Sequence, residues 1–247
     1  MIDIFARKAV AVAMAFCSLC MNAEKVPAVA ADAPAATPQV MAKPVVSILG
    51  DSYSTFSGYV PAGNAVWYDR HTSAERTDVG DVKQTWWWQL IDKGGFVLGK
   101  NDSYSGSTIS FKGYNGDDYA DRSFITRVAG LGSPDVLLIF GGTNDSWAGV
   151  EVGEYDYGDY ITGDKLYTFR PAMSRLLQEA INHYPGTDIY VIINSELRED
   201  ITESMKEICR HYSVGYIQLH DIAKTQGHPS CAGMKAIADQ VLEAIQR

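Results

Sequence analysis

The sequence predicts a three-layer α/β/α fold built on a five-stranded parallel sheet. Two observations carry this expectation. Five short apolar runs stand along the chain: Val45-Val46-Ser47-Ile48-Leu49, Phe96-Val97-Leu98, Val136-Leu137-Leu138-Ile139-Phe140, Ile189-Tyr190-Val191-Ile192-Ile193 and Tyr216-Ile217-Gln218-Leu219. They are near-continuous rather than alternating, as strands covered on both faces must be. The stretches between the runs carry helical spacing, and strand-helix alternation of this kind gives a doubly wound sheet.

Each helix has its own signature. Met173, Leu176, Leu177, Ala180, Ile181 and Tyr184 recur at helical intervals, as do Met234, Ile237, Ala238, Val241, Leu242 and Ile245. Both sets predict one apolar stripe laid on a sheet. Pro171 stands near the start of the first of these helices, where its missing N–H costs nothing. Further helices are expected over Gln84 to Lys93, with Trp86-Trp87-Trp88 anchoring it in the core, and over Ile201 to Tyr212. The segments Tyr53 to Val82 and Trp147 to Gly163 read as surface loops, longer than the common connections of about 4–6 residues.

The ends of the chain set the organisation. Arg7 and Lys8 precede an uncharged, mostly apolar run from Ala9 to Cys20. That run is shorter than the roughly 20 residues a membrane-spanning helix needs and suits a secretory signal peptide. Residues 1–23 are assigned to it, with cleavage at Ala23 or as late as Ala30. Residues 24–43, rich in Ala and Pro, read as a linker, and residues 44–247 as one domain. A secreted or periplasmic location follows, with no stable membrane insertion after cleavage. A lipoprotein modified at Cys17 or Cys20 is the competing reading. Of the four cysteines only Cys209 and Cys231 would then remain; export permits a disulfide between them, and both also suit buried helix positions. The net charge of -9 comes without a basic stripe, which argues against a nucleic-acid partner.

Ligands of open parallel sheets bind beyond the carboxyl ends of the strands, so the residues after each run are the candidates. The first strand ends in Gly50-Asp51-Ser52. Alone, this serine reads first as a helix cap; at a sheet edge it is also a candidate nucleophile, with main-chain N–H groups available to a developing oxyanion. Gly106 follows the second strand, where a glycine admits a ligand close to the backbone. The third strand runs into Gly141-Gly142-Thr143-Asn144-Asp145, whose Asn144 amide offers a neutral donor or closes an Asx turn. His228, in Gly227-His228-Pro229 before the last helix, is the candidate base, with His220 its rival.

Taken together and in this order, these residues resemble the four blocks that name the SGNH hydrolases, or GDSL-like esterases. Gly50-Asp51-Ser52, Gly106, Gly141-Gly142-Thr143-Asn144-Asp145 and His228-Pro229 carry the resemblance, which extends from Val45 to the C-terminus. It implies a flavodoxin-like SGNH hydrolase fold, Ser52 and His228 as catalytic residues, and an oxyanion hole from the Ser52 and Gly106 N–H groups and the Asn144 amide. It implies no metal and no organic cofactor. One departure stands out: the family places Asp three residues before the His, and here that residue is Thr225. Asp221, Glu196 or a main-chain carbonyl are the three substitutes for orienting His228. Loop aromatics (Tyr53, Tyr104, Trp147, Tyr155, Tyr157, Tyr160) offer faces for sugar rings or simply pack on the body. The expected partner is a small-molecule or glycan ester, most readily an acetylated carbohydrate. A lipid or acyl-chain esterase is the alternative, and a non-catalytic binding domain on the same fold is a third reading.

Overall fold

The computed structural model describes residues 42–246. The expected signal peptide, both cleavage points and all of the linker but its last two residues lie outside the described residues. Five parallel strands form the sheet: β1 (Val45–Gly50), β2 (Val97–Ser103), β3 (Val136–Phe140), β4 (Asp188–Ile193) and β5 (Gly215–Gln218), in the order β2-β1-β3-β4-β5. The chain leaves β1 to one side for β2 and returns past it for β3. The strand order therefore reverses at the carboxyl end of β1, where ligands bind in such sheets.

Period-two alternation sends opposite side chains of each strand to opposite layers. Leu49, Leu137, Ile139, Val191 and Ile193 meet α2 (Phe124–Arg127), α4 (Phe169–His183) and α5 (Glu199–His211). Val46, Ile48, Leu138, Phe140, Ile192 and Ile217 meet α1 (Trp86–Gly94) and α6 (Cys231–Ile245) on the other face. The predicted α4 stripe is buried at Met173, Leu176, Leu177 and Ala180, whereas Ile181 faces solvent at 37% exposure. Full burial of each such Leu stabilises the fold by about 1.5–3 kcal/mol. Trp86 and Trp87 are wholly buried and anchor α1, as the triple-tryptophan run predicts; Trp88 is half-buried.

The structure departs from the sequence reading in three places and decides between its two readings of the cysteines. β2 continues through the polar residues Asn101, Asp102 and Ser103, because their side chains are paired: Asn101 Nδ2 donates to Ser54 O in the neighbouring turn at 2.9 Å, and Ser103 Oγ donates to Asn101 Oδ1 within the strand at 2.5 Å. The Tyr53 to Val82 segment is a long irregular loop with many exposed residues, as expected, but it also enters the core. It inserts Tyr53, Phe56, Tyr68 and Val79, each at most 1% exposed, beside α1 and α6. Cys209 and Cys231 are free and pack on opposite faces of the sheet, so they form no disulfide. A two-stranded hairpin, β6 (Lys224–Thr225) and β7 (His228–Pro229), stands between β5 and α6.

That hairpin is held against α6 at one tight contact. A Cβ on Gly233 would stand 2.1 Å from the Ala223 carbonyl oxygen. The same carbonyl accepts from the Ser230 N–H at 3.0 Å. In a helix interior alanine is ordinarily better than glycine by about 1 kcal/mol. Here the methyl meets backbone, so Gly233→Ala is expected to cost about 1–3 kcal/mol and lower the melting temperature by roughly 3–10 °C. A circular-dichroism melt checks this; an unchanged or higher melting temperature would refute the close-packing account.

Candidate active site

The residues at the end of β1 form one turn of 3-10 helix, Ser52–Ser54. Asp51 caps it, its Oδ1 accepting from the Tyr53 N–H at 3.0 Å. Ser54 Oγ accepts from Trp86 Nε1 at 3.1 Å, which ties the turn to α1. Gly50 is required by close approach: a Cβ there would lie 2.4 Å from Ser103 Oγ and 2.7 Å from Ser54 Cβ. Asp51 is fully buried, and burial pushes its carboxyl up to about 7 against the opposing pull of the Tyr53 N–H, Thr143 and Arg127.

His228 reaches this turn from the β6–β7 hairpin. Gln226 and Gly227 connect the two strands with φ of 52° and 75°, the left-handed pair that a two-residue hairpin turn requires. Two buried tyrosines hold the hairpin. The Tyr53 hydroxyl donates to Gly227 O at 2.5 Å and the Tyr68 hydroxyl to Pro229 O at 2.9 Å. His228 Nε2 then stands 2.9 Å from Ser52 Oγ, and Nδ1 stands 3.0 Å from the Gln226 carbonyl oxygen. A carbonyl only accepts, so Nδ1 carries the ring proton and Nε2 offers its lone pair to the serine. Ser52 is 2% exposed and His228 5%. Burial lowers the imidazole to about 4, with Arg76 and Lys224 adding to the shift.

Of the three candidates for orienting His228, the carbonyl is the one found at Nδ1. Glu196 instead pairs with Lys224 Nζ at 3.0 Å, and Asp221 lies against the His220 ring, almost wholly in solvent. Both carboxylates are ruled out as partners of Nδ1 in this arrangement, for a physical reason. The hairpin turn points its own main-chain oxygen at the ring, and Thr225 pairs with His228 across the two strands. His220, its ring 73% exposed and bound to Asp221, does not approach Ser52.

Asn144 opens α3 (Thr143–Trp147) at the end of β3. Its amide is oriented from both sides: Oδ1 accepts from the Tyr114 hydroxyl at 2.8 Å, and Nδ2 donates to Ser107 O at 2.9 Å, which leaves a second N–H. Gly106 takes φ of 85°, a conformation that strains other residues. Arg127, from the end of α2, binds the floor together. Its guanidinium donates to Gly50 O at 3.2 Å, to Ser107 Oγ at 3.0 Å and to the main-chain oxygen of Asp102. Asp145 holds the same segment by accepting from the Ile109 and Ser110 N–H groups at 2.8 and 3.0 Å.

The aromatic residues separate into two groups. Tyr53 and Trp147 approach the His228 ring at 5.3 and 5.6 Å between centroids, and Trp147 is 44% exposed. Tyr155 and Tyr157 do not reach the site. Their segment runs along α4 and α5, with Tyr157 stacked on His211 at 3.7 Å and Gln178 of α4 donating to Gly158 O. Sequence reasoning missed Tyr114, Arg127, Gln226 and Trp67, which stacks on the His228 ring. A Gln-Gly pair between short polar stretches was a weak hairpin signal; the other three gave none.

The comparisons with known proteins agree with this fold. The model of the family GDSL-like Lipase/Acylhydrolase matches residues 44–245. Two solved structures, each designated a GDSL-like lipase, are similar over nearly their whole lengths. One, from Bacteroides uniformis, is 53% identical with a TM-score of 0.80, covering 83% of this chain and 96% of its own. The other, from Bacteroides ovatus, is 49% identical with a TM-score of 0.81, covering 83% and 99%. An acetyl xylan esterase from Butyrivibrio proteoclasticus, 13% identical with a TM-score of 0.53 over 84% of this chain and 65% of its own, shares the fold alone. No match was found among the curated proteins. A doubly wound sheet with Ser52 and His228 in contact at its switch point, matched by the family's model over nearly every described residue, makes this chain a member of the GDSL-like lipase/acylhydrolase family.

Proposed function

We propose that this protein is an exported serine esterase that removes acetyl or other short acyl groups from a carbohydrate. The observation that carries the proposal is the 2.9 Å contact between Ser52 Oγ and a His228 Nε2 that is free to accept a proton. In the first step Nε2 takes the hydroxyl proton as Oγ attacks the ester carbonyl. The oxyanion that forms is held by the N–H groups of Ser52 and Gly106 and by the remaining Asn144 amide hydrogen. The tetrahedral species then expels the alcohol, which receives the proton from the imidazolium, and the acyl group stays on Ser52. Water repeats the sequence: it loses a proton to Nε2, attacks the acyl carbon, and frees the acid as Oγ regains its hydrogen.

Gln226 O serves His228 as a neutral acceptor where the family has a carboxylate. It maintains the tautomer with Nε2 unprotonated and adds no negative charge to the buried ring. This contact supports the esterase reading over a non-catalytic binding domain. The carbohydrate part of the proposal is supported by Trp147, which lies beside His228 and is partly exposed. A flat, rigid and half-solvated ring of this kind suits the apolar face of a sugar.

Three outcomes test the reading. Ser52→Ala is expected to lose hydrolysis of a small chromogenic acetyl ester and labelling by a fluorophosphonate, by at least about 10³-fold; retained turnover would sink the assignment. The imidazole must be neutral to act as base, and its value near 4 lies below the ordinary 6.5. So kcat/KM should stay level as pH falls through 6.5 and decline only near pH 4 to 5, seen in a pH-rate profile of the free enzyme; a midpoint at 6.5 would contradict the buried setting. In an acyl-chain series, activity should drop steeply beyond short chains, and a long-chain optimum would instead identify a lipid esterase.

A further inference from the structure

We infer that Trp67 is a positioning residue for His228, fixing the plane of the imidazole by face-to-face stacking where the family relies on a carboxylate. The inference rests on the Ser52–His228 reading above and names how that site is held.

The need for such a residue follows from the hydrogen bonding. One bond, from Nδ1 to Gln226 O, fixes a direction in the plane of the ring. It leaves the ring free to tilt about that direction, and a tilt swings Nε2 away from Ser52 Oγ. A planar neighbour removes the tilt. The Trp67 and His228 rings lie 3.5 Å apart between centroids and within 6° of parallel. Tyr53, Tyr68 and Trp147 meet the imidazole at 54°, 80° and 69°, so among the described residues Trp67 alone covers its face.

Trp67 is itself held from the nucleophile side. Its N–H donates to Thr55 Oγ1 at 2.9 Å, and Thr55 Oγ1 donates to Ser52 O at 3.0 Å. The Arg76 guanidinium lies over the opposite face of the indole at 3.8 Å. The indole Nε1 is buried without a hydrogen-bond partner, so packing on its two faces places the ring. The order guanidinium, indole, imidazole is a stack that ends on the base. When Nε2 accepts the serine proton, the imidazolium meets the electron-rich face of the indole. That contact stabilises the charge in the step that creates it.

The test compares Trp67→Phe with Trp67→Leu, both checked for folding by circular dichroism, on a short-chain acetyl ester. Phenylalanine keeps a flat face and leucine keeps apolar volume only. Trp67→Phe is expected to retain about a third or more of wild-type kcat. Trp67→Leu is expected to lose roughly 10- to 30-fold in kcat, with KM changed no more than about twofold. A leucine variant with the same kcat as the phenylalanine variant would overturn the inference, since a space-filling role makes no such distinction. Should the leucine variant not fold, Trp67→Met decides, because a flexible thioether fills the space beside the imidazole without offering a flat face and leaves every charge in place. A fall in kcat of about threefold or more supports the stack, and an unchanged kcat overturns it. Wild-type protein that neither hydrolyses the ester nor reacts with the fluorophosphonate would overturn the esterase reading and this inference together. An active wild type with indifferent variants would overturn this inference alone.

Discussion

The hydrogen bond between His228 Nε2 and Ser52 Oγ is the constraint on which the rest of this structure depends. Its two residues are 176 positions apart and both nearly buried, so the contact exists only if the end of β1 and the hairpin before α6 are brought to one place. A buried hydroxyl and a buried imidazole also need defined partners, because an unpaired polar group in the interior costs about 1–3 kcal/mol. The surroundings of the pair satisfy that requirement with main-chain oxygens and aromatic rings, and with no carboxylate on the imidazole.

This choice of partners explains several features that look unrelated. Tyr53 follows the serine directly, and its hydroxyl reaches Gly227 O, so the nucleophile turn grips the histidine's own hairpin. Tyr68 does the same at Pro229 from the segment that carries Trp67. Arg127 takes the other side, joining Gly50, Asp102 and Ser107 under the floor. It is almost completely buried, and burial lowers the guanidinium to about 10 despite the Asp102 carboxylate beside it. The groups in direct contact with the imidazole (Ser52 Oγ, the Gln226 carbonyl and the aromatic rings) are neutral.

The fold was largely legible in the sequence, because burial on both faces leaves near-continuous apolar strands and burial on one leaves striped helices. Val136 to Phe140 and the stripe from Met173 to Ala180 are direct records of those surroundings. The polar end of β2 was not legible as strand, since Asn101 is accommodated by a partner distant in sequence and in turn accommodates Ser103. Nor was the inward packing of Tyr53 to Val82, whose aromatic residues carry no regular period for a non-helical, non-strand segment to display.

For the site, the sequence by itself determined which chemical groups stand at the carboxyl ends of the strands: Ser52, Gly106, Asn144 and, after β5, His228. Their spacing along the chain and their local turn residues were enough, because strand ends and turns are specified locally. Only the tertiary structure decided what stands behind the histidine. Asp221, close in sequence, and Glu196, just past the neighbouring strand, were the candidate carboxylates, but the hairpin aims the Gln226 carbonyl at Nδ1, and Glu196 pairs instead with Lys224. The Trp67 face arrives from a segment more than 150 residues away. Ring stacking and a carbonyl's direction depend on three-dimensional placement of backbone, which no spacing of residue types encodes.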